Sequence, residues 1–130
     1  GVGMRVLVCG SRFWMNAAAI RRRLAVLPAG AVVIHGGARG ADRLAEAEAK
    51  ARGLTVDPYP ADWQRFGPAA GPLRNRKMLT VGRPDVVVAF HNAIWTSKGT
   101  RNCLKQARRL GIATELVVTS GPCCNGQGEG

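Results

Sequence analysis

His35-Gly36-Gly37-Ala38-Arg39-Gly40-Ala41-Asp42 is the stretch on which the reading of this chain turns. It stands between a short β-branched run, Ala31-Val32-Val33-Ile34, and an Ala-, Leu- and Glu-rich run that closes at Arg52-Gly53. The first run reads as a buried strand. The second reads as a helix over 41–52, ended by glycine. A strand that passes through a Gly-rich turn directly into a helix is the opening of a βα unit.

The same alternation recurs on both sides. Upstream, Met4 to Cys9 reads as a strand ending at Gly10-Ser11-Arg12. Ala17, Ile20, Leu24 and Leu27 then recur at helical spacing until Pro28 and Gly30. Downstream, 54–59 reads as a weaker strand and 60–72 as a long connection holding Trp63 and Phe66. A helix over 73–81, a strand over 85–90, a helix over 100–110 and a strand over 112–119 follow. In the last helix Cys103, Leu104, Ala107 and Leu110 are expected to face inward. Five strands separated by helices predict an α/β fold: a three-layer αβα sandwich on a parallel sheet. The expected order is 3-2-1-4-5, with the topological switch between strands one and four. The 130 residues are read as one domain over 4–119, with 1–3 a leader or cloning scar and 120–130 a Gly-rich tail without a fold.

Ligands of such sheets lie beyond the carboxyl ends of the strands near the switch, which says where functional residues should stand. The candidates stand there. Gly10, Ser11 and Arg12 follow strand one, and Gly36, Gly37, Ala38, Arg39, Gly40 and Asp42 follow strand two. Ser97, Lys98, Gly99 and Thr100 come after strand four and enter the last helix, while Arg74 and Asn75 sit in Gly71-Pro72-Leu73-Arg74-Asn75 at the start of the third. Glycines let backbone approach a phosphate, and N–H groups at a helix start point at an anion. Arg12, Arg39, Arg74 and Lys98 add charge-assisted donors. The plainer readings are that the glycines permit a tight turn, that Ser97 is an N-cap, and that Asp42 complements its helix dipole or pairs with Arg39 or Arg43. Trp63 and Phe66 read either as loop packing or as a stacking platform, and His91, which follows strand four, as a satisfied strand-end histidine rather than a general base. Neither G-x-G-x-x-G nor the P-loop pattern occurs.

Charge points the same way. The formal net charge is +11. Residues 71–110 hold nine Lys and Arg (Arg74, Arg76, Lys77, Arg83, Lys98, Arg101, Lys105, Arg108 and Arg109) against the single acid Asp85. Such a surface favours nucleotides, phosphates or polyanions. Cys9 and Cys103 fall in apolar patterns and Cys123-Cys124 in the tail, with no C-x-x-C pair near His35 or His91, so no metal site is expected. The absence of a signal leader and of a long apolar run leads to the expectation of a cytoplasmic protein with no membrane partner.

These motifs, taken together and in order with Tyr59-Pro60-Ala61-Asp62-Trp63, resemble the YspA branch of the SLOG superfamily, related to YpsA and more distantly to DprA and the LOG phosphoribohydrolases. The resemblance implies a Rossmann-like sandwich that binds a nucleotide or a nucleotide-derived phosphorylated ligand, in bacteria or their phages, with no other cofactor required. LOG enzymes carry acids after their Gly-Thr, whereas Thr100 is followed by Arg101, Asn102 and Cys103. The expectation is therefore a binding protein, a sensor or sequestering module. A nucleotide hydrolase using Asp62 or Asp42 and a DprA-like nucleic-acid binder are the alternatives. LOG-type relatives pair through helices, and the Ala17–Ala19, Met78 and Leu79 surface leads to the expectation of a homo-oligomer.

Arg101, Lys105 and Arg108 lie at i, i+4 and i+7 on one helix face. No helix-turn-helix or aromatic strand accompanies them for base readout. Gel-shift titrations are expected to find weak nucleic-acid binding, indifferent to sequence and lost as salt rises. Tight binding to a defined sequence at high salt would contradict this.

Overall fold

The computed structural model describes residues 4–119. Its sheet grows outward from β1 (Arg5–Gly10), whose side chains alternate between two apolar layers with the period of two that an extended chain imposes. Val6 and Val8 face one layer and Leu7 and Cys9 the other. The remaining strands are β2 (Val32–His35), β3 (Thr55–Pro58), β4 (Val86–Phe90) and β5 (Ala113–Val117). All neighbouring pairs are parallel, in the order β3-β2-β1-β4-β5.

Helices α1 (Ala17–Ala25) and α2 (Ala41–Ala51) cover one face. Ile20, Leu24, Ala45 and Ala49 pack there on Val6, Val8, Val33, Val88 and Phe90. The apolar residues that α2 buries, Ala41, Ala45 and Ala49, are all alanine, and this lets helix and sheet approach closely. After β3 the chain crosses to the opposite face, where α4 (Ala70–Thr80) and α5 (Lys98–Arg109) bring Met78, Leu79, Cys103, Leu104 and Ala107 against Leu7, Ile34, Val87 and Ala89. The result is the expected three-layer sandwich, wound in two directions from β1. No helix among the described residues is long and apolar enough to cross a membrane.

Several local expectations change. The connection over 60–72 is not open loop: it contains α3 (Trp63–Phe66), a 3-10 turn over Gly67–Ala69 and the first turn of α4. Helix α4 begins at Ala70 rather than at residue 73, because Pro72 lies in the first turn, where its missing N–H has no intrahelical role. Leu110 lies past the end of α5 and is exposed, since the chain leaves the helix through Gly111 at φ 75. Met78 and Leu79, expected as uncovered surface, are buried against the sheet. The Cys123-Cys124 tail lies outside the described residues.

Leu104 joins α5 to the sheet and is 3% exposed. Leu104→Ala is expected to lower unfolding free energy by about 2–5 kcal/mol, as removal of a buried leucine side chain does. Urea denaturation should show a lower midpoint with an unchanged slope.

Candidate functional site

Parallel pairing brings the ends of β1 and β4 level, with Gly10 opposite Phe90, and β2 ends beside them at His35. The turns after these strands and the starts of α4 and α5 therefore share one edge of the sheet. Within the β2–α2 turn, one oxygen of Asp42, Oδ2, accepts the N–H of Gly36 at 3.0 Å and of Ala38 at 3.2 Å. Gly37 N–H donates to His35 Nδ1 at 2.9 Å. That bond leaves the ring proton on Nε2, which donates to Glu46 Oε1 at 2.7 Å. The side chains of this motif thus wrap back on their own backbone.

The turns are also tied to one another. Ala41 N–H donates to Ser11 O at 3.1 Å, locking the first turn of α2 against the turn after β1. Gly40 sits between them at φ 71, and a Cβ there would overlap Ser11 O and the backbone of Arg12. Arg74 Nη1 donates to Gly36 O at 2.6 Å, and its guanidinium fills the place a Cβ on Gly36 would take. Arg74 Nε donates to Asn75 Oδ1 at 2.9 Å, and Asn75 Nδ2 reaches Gly99 O and Asn102 Oδ1, each at 3.2 Å. Ser97 Oγ accepts the Thr100 N–H at 3.1 Å as the N-cap of α5. Contacts thus run unbroken from Ser11 through Gly40, Asp42, Gly36, Arg74 and Asn75 to Gly99.

Donors remain after these contacts are counted. Among the described residues, the N–H groups of Asp42 and Arg43 in α2, and of Lys98 and Gly99 in α5, have no protein acceptor. Arg12, Arg39 and Lys98 are exposed and bond to no protein group among those residues, although Arg12 stacks on the Phe13 ring at 5.1 Å. Acceptors are scarcer. Asp42 is buried, and burial raises its pKa above the ordinary carboxylate range, while the Ala38 N–H, His35, Arg74 and the Gly36 N–H work against the rise. It makes no ion pair with Arg39 or Arg43, contrary to the sequence expectation, because its carboxylate turns inward to the backbone N–H groups and both arginines point to solvent. Asp62 is exposed and caps α3 by accepting the Arg65 N–H at 3.1 Å. No contact ties it to the linked turns.

An open cavity of about 500 Å³ adjoins these turns on the far side of Ser11, lined by Ser11, Phe13, Trp14, Met15, Asn16, His91, Asn92, Ala93, Thr96 and Thr119. Ser11 alone of the sequence candidates enters its wall. Trp63 and Phe66 lie elsewhere, exposed on α3. The rest of the wall follows β1, β4 and, at Thr119, β5, without glycine or charge to mark it. The signal that could have found it is position, since these residues flank the switch point itself. His91 is buried, its Nδ1 accepts the Ala93 N–H at 2.9 Å, and burial lowers its pKa, so the ring is neutral near pH 7. Among the described residues no three His, Cys, Asp or Glu side chains converge to hold a metal.

Residues 4–66 match the family model described as YspA, cpYpsA-related SLOG family. That span includes the turns after β1 and β2 and ends before Arg74 and the start of α5. The chain is also 42% identical over 117 residues to the Gene 61 protein of Mycobacterium phage D29, covering 83% of this chain and 91% of that protein.

Asp42 generates a test with a definite sign. Its pKa is raised by folding, so the stability it contributes is full below its unfolded value, about 3.9. That stability is lost as pH rises through the folded value. Both N–H groups use a single oxygen, which an amide can also supply. At pH 7 Asp42→Asn is therefore expected to melt at or above the wild-type temperature. Asp42→Ala should lose about 1–3 kcal/mol by orphaning two donors. The Asn advantage should fade on acidification, followed by thermal melts across pH; an advantage that grows toward acid would contradict the assignment.

Proposed function

We propose, from the premise that the chain belongs to the YspA, cpYpsA-related SLOG family, that it binds a nucleotide or nucleotide-derived phosphorylated ligand as a sensor or sequestering module. Family membership supports a nucleotide-related role, and the linked turns at the sheet edge support binding as its form. One observation carries this reading: donors gather where carboxylates are already occupied. Free N–H groups at the starts of α2 and α5 lie on turns joined by Arg74 and Asn75. Arg12, Arg39 and Lys98 stand exposed on the same turns.

Phosphate oxygens are the natural complement of such a set. Backbone N–H groups at a helix start provide directed bonds and partial positive charge, and guanidinium groups add bidentate, charge-assisted ones. Hydrolysis of a glycosidic bond needs instead a carboxylate free to activate water or steady developing positive charge. Asp42 is buried and turned toward two backbone N–H groups, and Asp62 caps α3 with no contact to the linked turns, so neither carboxylate stands among the free donors. The first turn of α5 contains no acid.

Calorimetry with nucleoside monophosphates, NAD and ADP-ribose tests this reading, and chromatography of the same mixtures should recover the nucleotides unchanged. Arg39→Ala is expected to weaken binding at least several-fold, since a charged hydrogen bond contributes about 1.5–3 kcal/mol. Its melting temperature should stay constant, because Arg39 is exposed and its side chain makes no hydrogen bond or ion pair among the described residues. Arg74→Ala should lower both affinity and melting temperature, as its guanidinium also holds Gly36 and Asn75. Turnover abolished by Asp62→Asn would replace the binding reading with an enzymatic one.

A further inference from the structure

We infer that the cavity beside β1 and β4 receives the base of the bound nucleotide and favours a 6-oxopurine over adenine. The inference rests on the nucleotide-binding reading above and adds the identity of the base. The cavity shares Ser11 with the phosphate-facing turns, and the carbonyl of that residue receives the first N–H of α2. A ligand with its phosphate at the start of α2 therefore has this cavity beside it. Its volume, about 500 Å³, is ample for a purine and ribose. Exposed Phe13 at the wall offers an aromatic face for stacking.

The hydrogen-bonding sense of the wall selects among bases. His91, Asn92 and Asn16 each have their acceptor atom taken by a backbone N–H. His91 Nδ1 accepts from Ala93 at 2.9 Å, Asn92 Oδ1 from Thr119 at 2.8 Å, and Asn16 Oδ1 from Ala19 at 3.0 Å. A backbone N–H can only donate, so these bonds fix the ring tautomer and both amide orientations. What each side chain has left is an N–H donor. The Ser11 carbonyl accepts from Trp14 and Ala41, and the Ala93 carbonyl from Thr96. No carboxylate lies in the wall.

The hydroxyls of Thr96 and Thr119 give their protons to Ala93 O and Asn92 Oδ1, so the N–H donors of the wall are those of His91, Asn92 and Asn16, and this trio matches a base edge that offers acceptors. Guanine and hypoxanthine present N7 and O6 side by side, both acceptors, whereas adenine places its N6 amino donor next to N7. Adenine would set its amino donor against these donors and forfeit the bond that O6 makes.

The test is calorimetry of the full chain with GMP, IMP, AMP and ribose 5-phosphate, using wild type, Asn92→Asp and Phe13→Ala. Asn92→Asp keeps the oxygen that holds Thr119 and replaces the amide donors with an acceptor. GMP and IMP are expected to bind the wild type at least about tenfold more tightly than AMP. That ratio should collapse in Asn92→Asp, read as a ratio because the added charge weakens every nucleotide. Phe13→Ala should weaken the nucleotides more than ribose 5-phosphate, whose own loss is limited to what the ring contributes by holding Arg12. Equal affinity for GMP and AMP, or a ratio indifferent to Asn92→Asp, overturns the base assignment. In that case Arg39-dependent binding of ribose 5-phosphate leaves the phosphate reading standing. Binding of none of the four ligands overturns both.

Discussion

The candidate site depends on a single buried oxygen. Asp42 Oδ2 accepts two N–H groups from the turn that precedes its own helix, folding that turn back over the helix start. Burying a carboxylate is unfavourable, and here the burial outweighs the four groups that favour the charged form, so the pKa moves upward. The arrangement satisfies two N–H groups of the turn with one side-chain oxygen. With Gly36 and Ala38 held, the Gly36 carbonyl faces Arg74, and Gly40 is left to pass against Ser11. Arg74 in turn bonds to Asn75 Oδ1, and the Asn75 amide reaches Gly99 O.

Electrostatics distinguishes this edge from an ordinary sheet edge. A cation in the first turn of a helix opposes the dipole, by about 0.3–1 kcal/mol. Lys98 occupies that place in α5, and no acid offsets it. Arg39 immediately precedes Gly40, the N-cap of α2. An anion at either helix start would relieve local repulsion of this kind. The chain's formal charge of +11 would raise the local concentration of such a ligand and its rate of encounter.

The glycines of the motifs do different work despite their similar appearance in sequence. Gly40 is required by its backbone angle and by the carbonyl it passes, and Gly36 by the guanidinium lying against it. Gly99 faces open space, with no atom within 4 Å of where a Cβ would stand. Two of these glycines hold the protein to itself, and the third leaves the start of α5 accessible. The same division applies to the hydroxyls: Ser97 is occupied as a cap, while Ser11 Oγ accepts the Phe13 N–H at 2.9 Å and keeps its own proton available.

By itself the sequence determined the strands, their parallel order, the switch between β1 and β4, and the turns that meet there. Each follows from local rules: apolar period, glycine at turn positions, and the right-handed crossover. Tertiary structure alone decided which partner each polar atom takes. Asp42 is adjacent in sequence to Arg43, yet bonds to backbone instead, because the turn brings two N–H groups to it inside the protein while the arginine side chains reach water. The helix hidden in 60–72 and the wall around Phe13 and Asn92 were equally illegible. Their residues carry no periodic signal, and their arrangement arises only when segments far apart in the chain, such as Asn92 and Thr119, close on one another. Periodicity is a property of neighbours along the chain, whereas the hydrogen-bonding sense of a cavity is set by what remains unpaired after the whole chain has packed.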